Sequence, residues 1–359
     1  MTSPLPPLYT EWMRQALDSA VPPTETRATC SSCAMCEGPT SPPRAVPAFS
    51  PSVTCCTYIP TLSNVAVGRI LLGDDTLGGR SSVIARIGRH VAVTPLGLGW
   101  PHAQSELYKD TEKHFGRHEG LRCPHYVHTK EGGRCGIWRD RNATCATWFC
   151  KHDRGATGRR VWMAIRDLLG TVDAQLAWHT VDALGISVDR RERLAPRPGL
   201  LRGYDLVDGH RGPPTPAHRE AVWGRWLGRE HAFYKACAQH VEGYRWNDIQ
   251  RIVGGTLDAP IAAVAEAIAA LSAQKVPNAP VRGNVTQQIQ ATGQILVSGY
   301  STYDSLVLSA EQVTALNQFD GAPLTLVRHR LQEHGVDIDD ATLLQWLDAE
   351  LLLPHKDTR

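Results

Sequence analysis

The chain has 359 residues, of which 42% are hydrophobic and 21% are charged, and its formal net charge is +2. These values are typical of a soluble globular protein long enough for two domains. They argue against a surface that binds nucleic acid or anionic membranes, because such surfaces carry a strong basic excess.

The beginning of the chain lacks the apolar and basic segments of a secretory signal. The most apolar stretch, residues 259–271, is interrupted by Glu266 and is shorter than the roughly 20 residues that span a bilayer. This pattern predicts a core helix in a cytoplasmic protein that has no membrane contact. Residues 1–29 are predicted to form a short helix, Tyr9 to Ser19, followed by a lead-in rich in proline and threonine.

Residues 30–154 carry nine of the ten cysteines, together with many glycines and prolines. Disulfides are rare in a reducing compartment, so such a density of thiols indicates metal binding or redox chemistry. We therefore expect a loop-rich domain that is organised by metal. Its first element is Cys30-x2-Cys33-x2-Cys36, a spacing that lets one tight loop direct three sulfurs at one centre, with bonds of about 2.3 Å.

The adjacent pair Cys55 and Cys56 follows after an insert rich in proline and serine. Neighbouring side chains usually point apart, so we expect only one of the two to join a given metal. A second element carries Cys123, Cys135, Cys145 and Cys150. Eight thiolates would saturate two four-coordinate sites, and four would saturate one, so the sequence permits one or two centres.

The two elements together resemble the YkgJ-type cysteine-cluster family, described as a putative zinc- or iron-chelating domain. Cys30, Cys33 and Cys36 match its first element, although Glu37 stands where the family has a further cysteine. The second element is matched at Cys123, Gly133, Cys135, Ile137, Trp138, Arg141, Cys145 and Cys150, with Asn142 in place of a proline. The resemblance covers about a third of the chain and implies metal binding without implying a reaction. Flagellin lysine methylases carry a similar cluster.

The histidines near the cysteines offer other metal ligands. His125 lies two residues after Cys123 and is the best such candidate, while His114 and His118 would share one face if that segment is helical. For this pair we favour ordinary surface or hydrogen-bonding roles.

Residues 155–285 are predicted to form a helical region. Five apolar residues recur at steps of three and four, which indicates one face of a long helix: Val161, Ile165, Leu168, Val172 and Leu176. A second amphipathic helix is predicted to carry Trp223, Trp226, Leu227, Phe233, Tyr234, Cys237 and Val241, and a third to cover about Pro260 to Ser272.

Residues 290–354 are predicted to form a small winged-helix-like module. Two strands, Gln294–Val297 and Ser305–Leu308, flank a turn with Gly299, and Ser309 is a good N-cap for the first of three short helices. Gly335 is expected to end the second of these helices, and the third covers about Asp340 to Glu350. The tail resembles PqqD-like modules, and that resemblance implies contact with a protein or peptide partner.

The sequence thus predicts an α-rich α+β protein with a metal-organised cysteine domain, a helical middle region and a winged-helix-like C-terminal module. The candidate metal ligands are Cys30, Cys33, Cys36, Cys55, Cys56, Cys123, Cys135, Cys145 and Cys150. An iron–sulfur cluster is favoured over zinc, because the thiols exceed four and the compartment is reducing. Two alternatives stay open: an iron–sulfur-dependent protein-modifying enzyme such as a lysine methylase relative, and a zinc-stabilised adaptor without catalysis.

Overall fold

A computed structural model describes residues 5–17, 22–27, 33–36, 38, 44–111, 114–129, 132–186, 214–273, 275–276, 281–285, 287–291 and 294–354. The protein is helix-rich with several small antiparallel sheets, which confirms the predicted α-rich α+β class.

The chain divides into two compact units, each built from three segments. The first unit comprises Met1–Val21, Phe49–Trp148 and Ala164–Val264, and the second comprises Pro22–Ala48, Phe149–Met163 and Ala265–Arg359. The cysteine-rich region therefore contributes to both units. The domain boundaries proposed at residues 29, 154 and 285 stay predictions.

The first unit begins with a short helix and then alternates short helices with two-residue strands. Its elements up to residue 148 are α1 (Pro7–Ala16), β1 (Leu62–Ser63), α2 (Asn64–Leu72), α3 (Gly79–Arg89), β2 (Val93–Thr94), β3 (Gly97–Leu98), α4 (His102–Thr111), β4 (Tyr126–Thr129), β5 (Gly132–Cys135) and α5 (Ala143–Thr147). One sheet has the order β1-β3-β2, and β4 and β5 form a hairpin. Helix α1 confirms the predicted N-terminal helix, shifted by two to three residues.

The long helix predicted after residue 155 is α6 (Gly155–Ala183). The five apolar residues on which the prediction rested, from Val161 to Leu176, are each at most 1% exposed. Its apolar face is therefore the one that the periodicity indicated.

The predicted tryptophan-rich helix is wrong as a single element, because the structure has two helices there. They are α7 (Pro216–Trp223) and α8 (Glu230–His240). The break falls at Gly224 and Gly228, whose φ angles of +52° and +75° are incompatible with a continuing right-handed helix. Trp223 and Phe233 are buried and pack edge to face, which agrees with a core role.

Helix α8 packs closely against α2 in the first unit. A Cβ atom at Gly68 of α2 would lie 1.9 Å from the Tyr234 carbonyl oxygen. Only glycine therefore allows this approach. The Tyr234 hydroxyl in turn donates to the carbonyl of Thr94, 2.7 Å away, and so fixes the strand that precedes β3.

The helix predicted at about Pro260 to Ser272 is confirmed as α10 (Asp258–Ser272), and α9 (Trp246–Val253) precedes it. The expectation that this apolar stretch is a core helix is wrong, because Val264 is the one buried residue of α10. The stretch Trp246–Ser272 is long and apolar enough to cross a membrane by length and composition, and 11% of an apolar 18-residue window within it is buried. Seven of the fifteen residues of α10 are alanine, whose small side chain gains little from burial.

The second unit contains the two strands and three helices that the sequence predicted, together with three strands that it did not predict, Val281–Gly283, Gln287–Ala291 and Leu352–Pro354. They are β6 (Val281–Gly283), β7 (Gln287–Ala291), β8 (Gln294–Ser298), β9 (Leu306–Leu308), α11 (Ala310–Leu316), α12 (Leu324–Glu333), α13 (Asp340–Asp348) and β10 (Leu352–Pro354). Ser309 caps α11 through a capping box with Gln312, and Gly335, with φ of +74°, follows the end of α12. Strands β7, β8 and β9 form one antiparallel sheet, and β6 pairs with β10. The core of this region is centred on Trp346 and Phe319.

Candidate metal centres

Four cysteines of the first unit, Cys56, Cys123, Cys135 and Cys145, are neighbours, and we call them the first thiol set. The backbone of Cys123 donates to the carbonyl of Cys56 at 2.7 Å and thereby joins two distant loops. Cys123 also accepts from the backbone of Tyr126, the residue that pairs with Cys135 across the β4–β5 hairpin. Local hydrogen bonds thus bring three of the four residues together.

The fourth residue, Cys145, lies on the short helix α5. Asn142 caps this helix, and its side-chain oxygen accepts a hydrogen bond from the backbone of Cys145 at 2.9 Å. The Asn142 amide also donates to the carbonyl of Thr61 at 3.0 Å. Asn142, which replaces a proline of the YkgJ-type pattern, therefore caps α5 and anchors it to the loop between Cys56 and β1.

The electrostatics of the first thiol set show how close its members are. Burial raises the pKa of the Cys145 thiol far above its ordinary value, and the thiols of Cys123, Cys135 and Cys56 raise it further. Burial raises the pKa of Cys123 in the same way, as do Cys56 and Cys135. Without a cation to bind, these groups remain protonated thiols. A bound metal would replace those protons, since the thiolate is the ligand form.

Two buried arginines lie beside the first thiol set. Arg86 is 8% exposed, donates to the carbonyl of Gly99 at 2.6 Å, and lowers the pKa of Cys123. Arg141 is 5% exposed, lies 3.4 Å above the Trp138 ring, and lowers the pKa of Cys145. Buried cations are costly unless they face negative charge, so this environment suits a group of thiolates.

His125 has a different role from the metal ligand considered above. Its Nδ1 lies 2.7 Å from the Ser82 hydroxyl, and its Nε2 lies 3.4 Å from the Arg86 guanidinium. Burial, and then Arg86, lowers the pKa of His125 to about 3, so the ring is neutral. Both ring nitrogens therefore have a partner on helix α3, Ser82 for Nδ1 and Arg86 for Nε2. The other candidates, His114 and His118, have ring centroids 6.4 Å apart, and His114 is exposed.

A close backbone contact positions helix α3 and therefore Arg86. A Cβ atom at Gly79, the first residue of α3, would lie 2.2 Å from the carbonyl oxygen of Gly136. Gly136 follows Cys135 directly, and its backbone donates to the carbonyl of His125 at 2.8 Å. The absence of a side chain at Gly79 thus lets α3 lie against the loop that carries Cys135.

The second unit contains a second group of cysteines, Cys33, Cys36 and Cys150, which we call the second thiol set. The backbone of Cys36 donates to the carbonyl of Cys33 at 3.1 Å. Burial raises the pKa of Cys36 to about 12, as do the charge of Cys33, a hydrogen bond between the two thiols and, less strongly, Cys150. Burial, and then Cys33, raises the pKa of Cys150 to about 12. Cys30, three positions before Cys33, lies outside the described residues.

The second thiol set has a network of mixed charges beside it. Asp304 is 4% exposed and pairs with Arg27 at 2.6 Å and with Lys151 at 3.7 Å. It also accepts a hydrogen bond from the Tyr300 hydroxyl. Lys151 lowers the pKa of Cys150 and Asp304 raises it, so the two charges largely offset one another there.

The structure groups the cysteines differently from their order in the sequence. The thiol that accompanies Cys33 and Cys36 is that of Cys150, whereas Cys56 lies with Cys123, Cys135 and Cys145. Cys56 raises the pKa values of both Cys123 and Cys145, so this member of the adjacent pair belongs to the first thiol set. Cys237, the cysteine outside the predicted domain, is buried beside Thr180.

Within each set the thiols are neighbours, but they do not converge on one point. Within the described ranges, no three His, Cys, Asp or Glu side chains are placed to hold a single metal ion. The donor set nevertheless fits a thiolate-bound metal, because it consists of sulfur alone, is buried or half-buried and, in the first unit, has two arginines beside it.

Comparison with known proteins adds no relative: no family model matches the chain, and no curated protein or solved structure shows significant similarity to it. The resemblance to the YkgJ-type family and to PqqD-like modules therefore stays an interpretation of the sequence motifs.

Proposed function

We propose that this chain is an iron–sulfur protein with two thiolate-held centres, one on each thiol set. Cys56, Cys123, Cys135 and Cys145 would hold the first. Cys33, Cys36 and Cys150 would hold the second, with Cys30 as the fourth ligand. The observation that carries the proposal is the first thiol set, in which four cysteines from two loops, strand β5 and helix α5 lie beside the buried Arg86 and Arg141.

The number of thiols supports iron–sulfur over zinc. A closed zinc site uses four ligands, whereas nine cysteines lie between Cys30 and Cys150. An iron–sulfur cluster is likewise held by cysteine thiolates. When bound, such a cluster supplies one-electron transfer.

The charges around the first set support the same assignment. Four thiolates on a cluster leave a net negative charge in a buried site. Arg86 and Arg141 offset part of that charge, and the hydrogen bond of Arg86 to Gly99 and the stacking of Arg141 on Trp138 hold them in place. Cluster potential depends on such charges and on solvent exposure.

A winged-helix-like C-terminal module that contacts a protein or peptide partner in the cytoplasm is the second part of the proposal. Leu326 on α12 and Val307 on β9 are 51% and 44% exposed, which supports contact with another protein. Nucleic acid is not expected as a partner, since acidic residues outnumber the arginines of this segment.

A protein-modifying enzyme is the second candidate, and a cavity favours it. The cavity measures about 190 Å³ and is lined in part by Arg122 and Pro124, the two chain neighbours of Cys123. A cluster that acts on a substrate needs a concave site beside it.

Anaerobic purification followed by iron, zinc and sulfide analysis of the same sample tests the proposal. We expect iron and acid-labile sulfide in equal amounts and a brown protein. Zinc with no visible colour would overturn the iron–sulfur assignment and leave the zinc-stabilised adaptor. Substoichiometric iron and zinc together would overturn metal binding itself.

A further inference from the structure

The cavity beside Cys123 has chemistry that the metal centre does not use. Eight residues of the first unit line it: Ile59, Arg86, Arg89, Val91, Pro101, Gln104, Arg122 and Pro124. Three of these are arginines and none is acidic. A concave site with three guanidinium groups has a strongly positive potential, which low-dielectric walls increase.

The arginines come from two elements that meet at the cavity. Arg86 and Arg89 lie three residues apart on α3 and therefore share one face of the helix. Arg122 comes from the loop before Cys123 and pairs with Glu119 at 3.3 Å. Among the described residues, neither Arg86 nor Arg89 has a carboxylate within ion-pair distance. Glu119 and, for Arg86, the nearby Cys123 offset part of the positive charge of the cavity.

Two of the lining residues have a buried polar atom that lacks a hydrogen-bond partner in the described part of the chain. They are the Nε of Arg122 and the amide oxygen of Gln104. A buried polar atom without a partner costs about 1–3 kcal/mol, and a ligand that engaged these side chains would offset that cost. Rotation of the Gln104 amide by 180° would present its N–H₂ group instead.

Arg86 is held rigidly, as a preformed binding group should be. It is 92% buried, since 8% of it is exposed, and it contacts Gly99 and His125. Ser82 holds His125 on its far side. A guanidinium fixed in this way loses little conformational entropy when an anion binds.

The remaining walls are apolar and are formed by Ile59, Val91, Pro101 and Pro124. A free inorganic ion would leave these surfaces without contact. The combination fits a ligand with an anionic head group and a compact apolar body.

We propose that this cavity binds a small organic oxyanion, a carboxylate or a phosphate ester, through Arg86, Arg89, Arg122 and Gln104. Arginine suits both head groups, because its planar fork donates two parallel hydrogen bonds. The cavity adjoins the chain neighbours of Cys123, so the ligand lies next to the first thiol set. Binding itself requires no metal and is independent of the proposed iron–sulfur function.

Isothermal titration calorimetry of the full-length protein with benzoate, phenyl phosphate and benzamide tests the proposal. The three share one apolar body and differ in the head group. We expect one of the two anions to bind with 1:1 stoichiometry and neutral benzamide to bind at least about tenfold more weakly. Tighter binding of benzoate identifies a carboxylate ligand, and tighter binding of phenyl phosphate identifies a phosphate ester. Equal, weak binding of all three would overturn the proposal.

Two charge-removing variants locate the site. Arg89→Gln and Arg122→Gln should each weaken binding of the preferred anion by about tenfold or more, because each removes a charge-assisted contact. Arg166→Gln, at a half-exposed position on α6, is the matched control and should bind as the parent does. Arg86 is avoided because its loss would disturb His125. Unchanged affinity in both cavity variants would overturn the assignment, and iron analysis of the same samples reports separately on the metal centre.

Discussion

The two thiol sets differ mainly in what surrounds them. Two buried arginines lie beside the first thiol set, and His125 links one of them, Arg86, to Ser82. The charges that act on these thiols from the two arginines are both positive. The second thiol set has a charge network of both signs around Asp304. The exposure of the thiols does not separate the sets, since each has one buried cysteine among its described members, Cys123 or Cys150. Positively charged surroundings stabilise an anionic cluster, whereas a balanced network stabilises it less. We infer that the first centre is the more stable one and the second the more labile one.

The largest expected effect separates the two centres by their lifetimes in air. Cys33→Ser leaves the first centre alone, and Cys135→Ser leaves the second alone. Under aerobic conditions we expect the visible absorption of Cys33→Ser to decay at least about tenfold more slowly, because Arg86 and Arg141 stabilise its remaining anionic cluster. Stopped-flow or manual absorption time courses give both rates. Equal decay would remove the distinction between the centres.

The charge network beside the second thiol set should be the most important electrostatic feature of its unit. Asp304→Ala leaves Lys151, which is 12% exposed, and Arg27 without their carboxylate. We expect the free energy of unfolding to fall by about 2–4 kcal/mol, slightly less than for a pair that is buried on both sides. Urea denaturation measures it. The exposed Glu333→Ala should change stability by less than about 0.5 kcal/mol, and a similar loss in both variants would show that the network adds nothing.

A pH-dependent effect is expected from the first unit at Asp173. This carboxyl accepts a hydrogen bond from Tyr9, and burial raises its pKa to about 7, with that hydrogen bond acting in the opposite direction. The folded state therefore binds its proton more tightly than the unfolded state. Stability from this residue is present below the unfolded pKa near 3.8 and is lost as pH rises toward 7.

Asp173→Asn removes this titration and keeps a hydrogen-bonding partner for Tyr9. Relative to the parent, the variant should gain about 2–4 kcal/mol between pH 4 and pH 7.5. Thermal denaturation across that pH range measures the gain. A constant difference at all pH values would mean that Asp173 titrates normally.

The smallest expected effect concerns the C-terminal region of the second unit. Ser309→Ala removes the N-cap of α11 and should lower the free energy of unfolding by about 1 kcal/mol. Thr314→Ala in the same helix removes a hydroxyl that donates to the Ala310 carbonyl, and it should be nearly neutral. Denaturation midpoints of the two variants provide the comparison. Equal losses would show that the capping box contributes nothing specific.

The sequence was most informative where structure depends on neighbouring residues. Ser309, Gly335 and the apolar face of α6 were predicted correctly, because caps, turns and helical periodicity are local. The core position expected for helix α10 was wrong, because an alanine-rich helix has the same composition whether it is buried or exposed. Its exposure depends on what packs against it, which periodicity does not reveal.

The membership of the thiol sets required the fold. Cys145 and Cys150 are five residues apart, yet they belong to different units and different sets. The contact between Cys56 and Cys123 was likewise not visible in the sequence, because it joins two distant loops. No sequence motif marked Arg86. A lone arginine on a helix becomes noticeable only when the structure shows that it is buried beside four thiols.

The most direct test of the two-centre proposal is the iron and sulfide content of Cys56→Ser beside that of Cys237→Ser, both purified anaerobically. Cys237 is buried beside Thr180 and is a member of neither thiol set. We predict that Cys56→Ser loses about half of the iron and sulfide of the parent, because the first centre loses a ligand, and that Cys237→Ser retains all of it. Full metal content in Cys56→Ser, or equal loss in both variants, would contradict the assignment of the first thiol set as a metal centre.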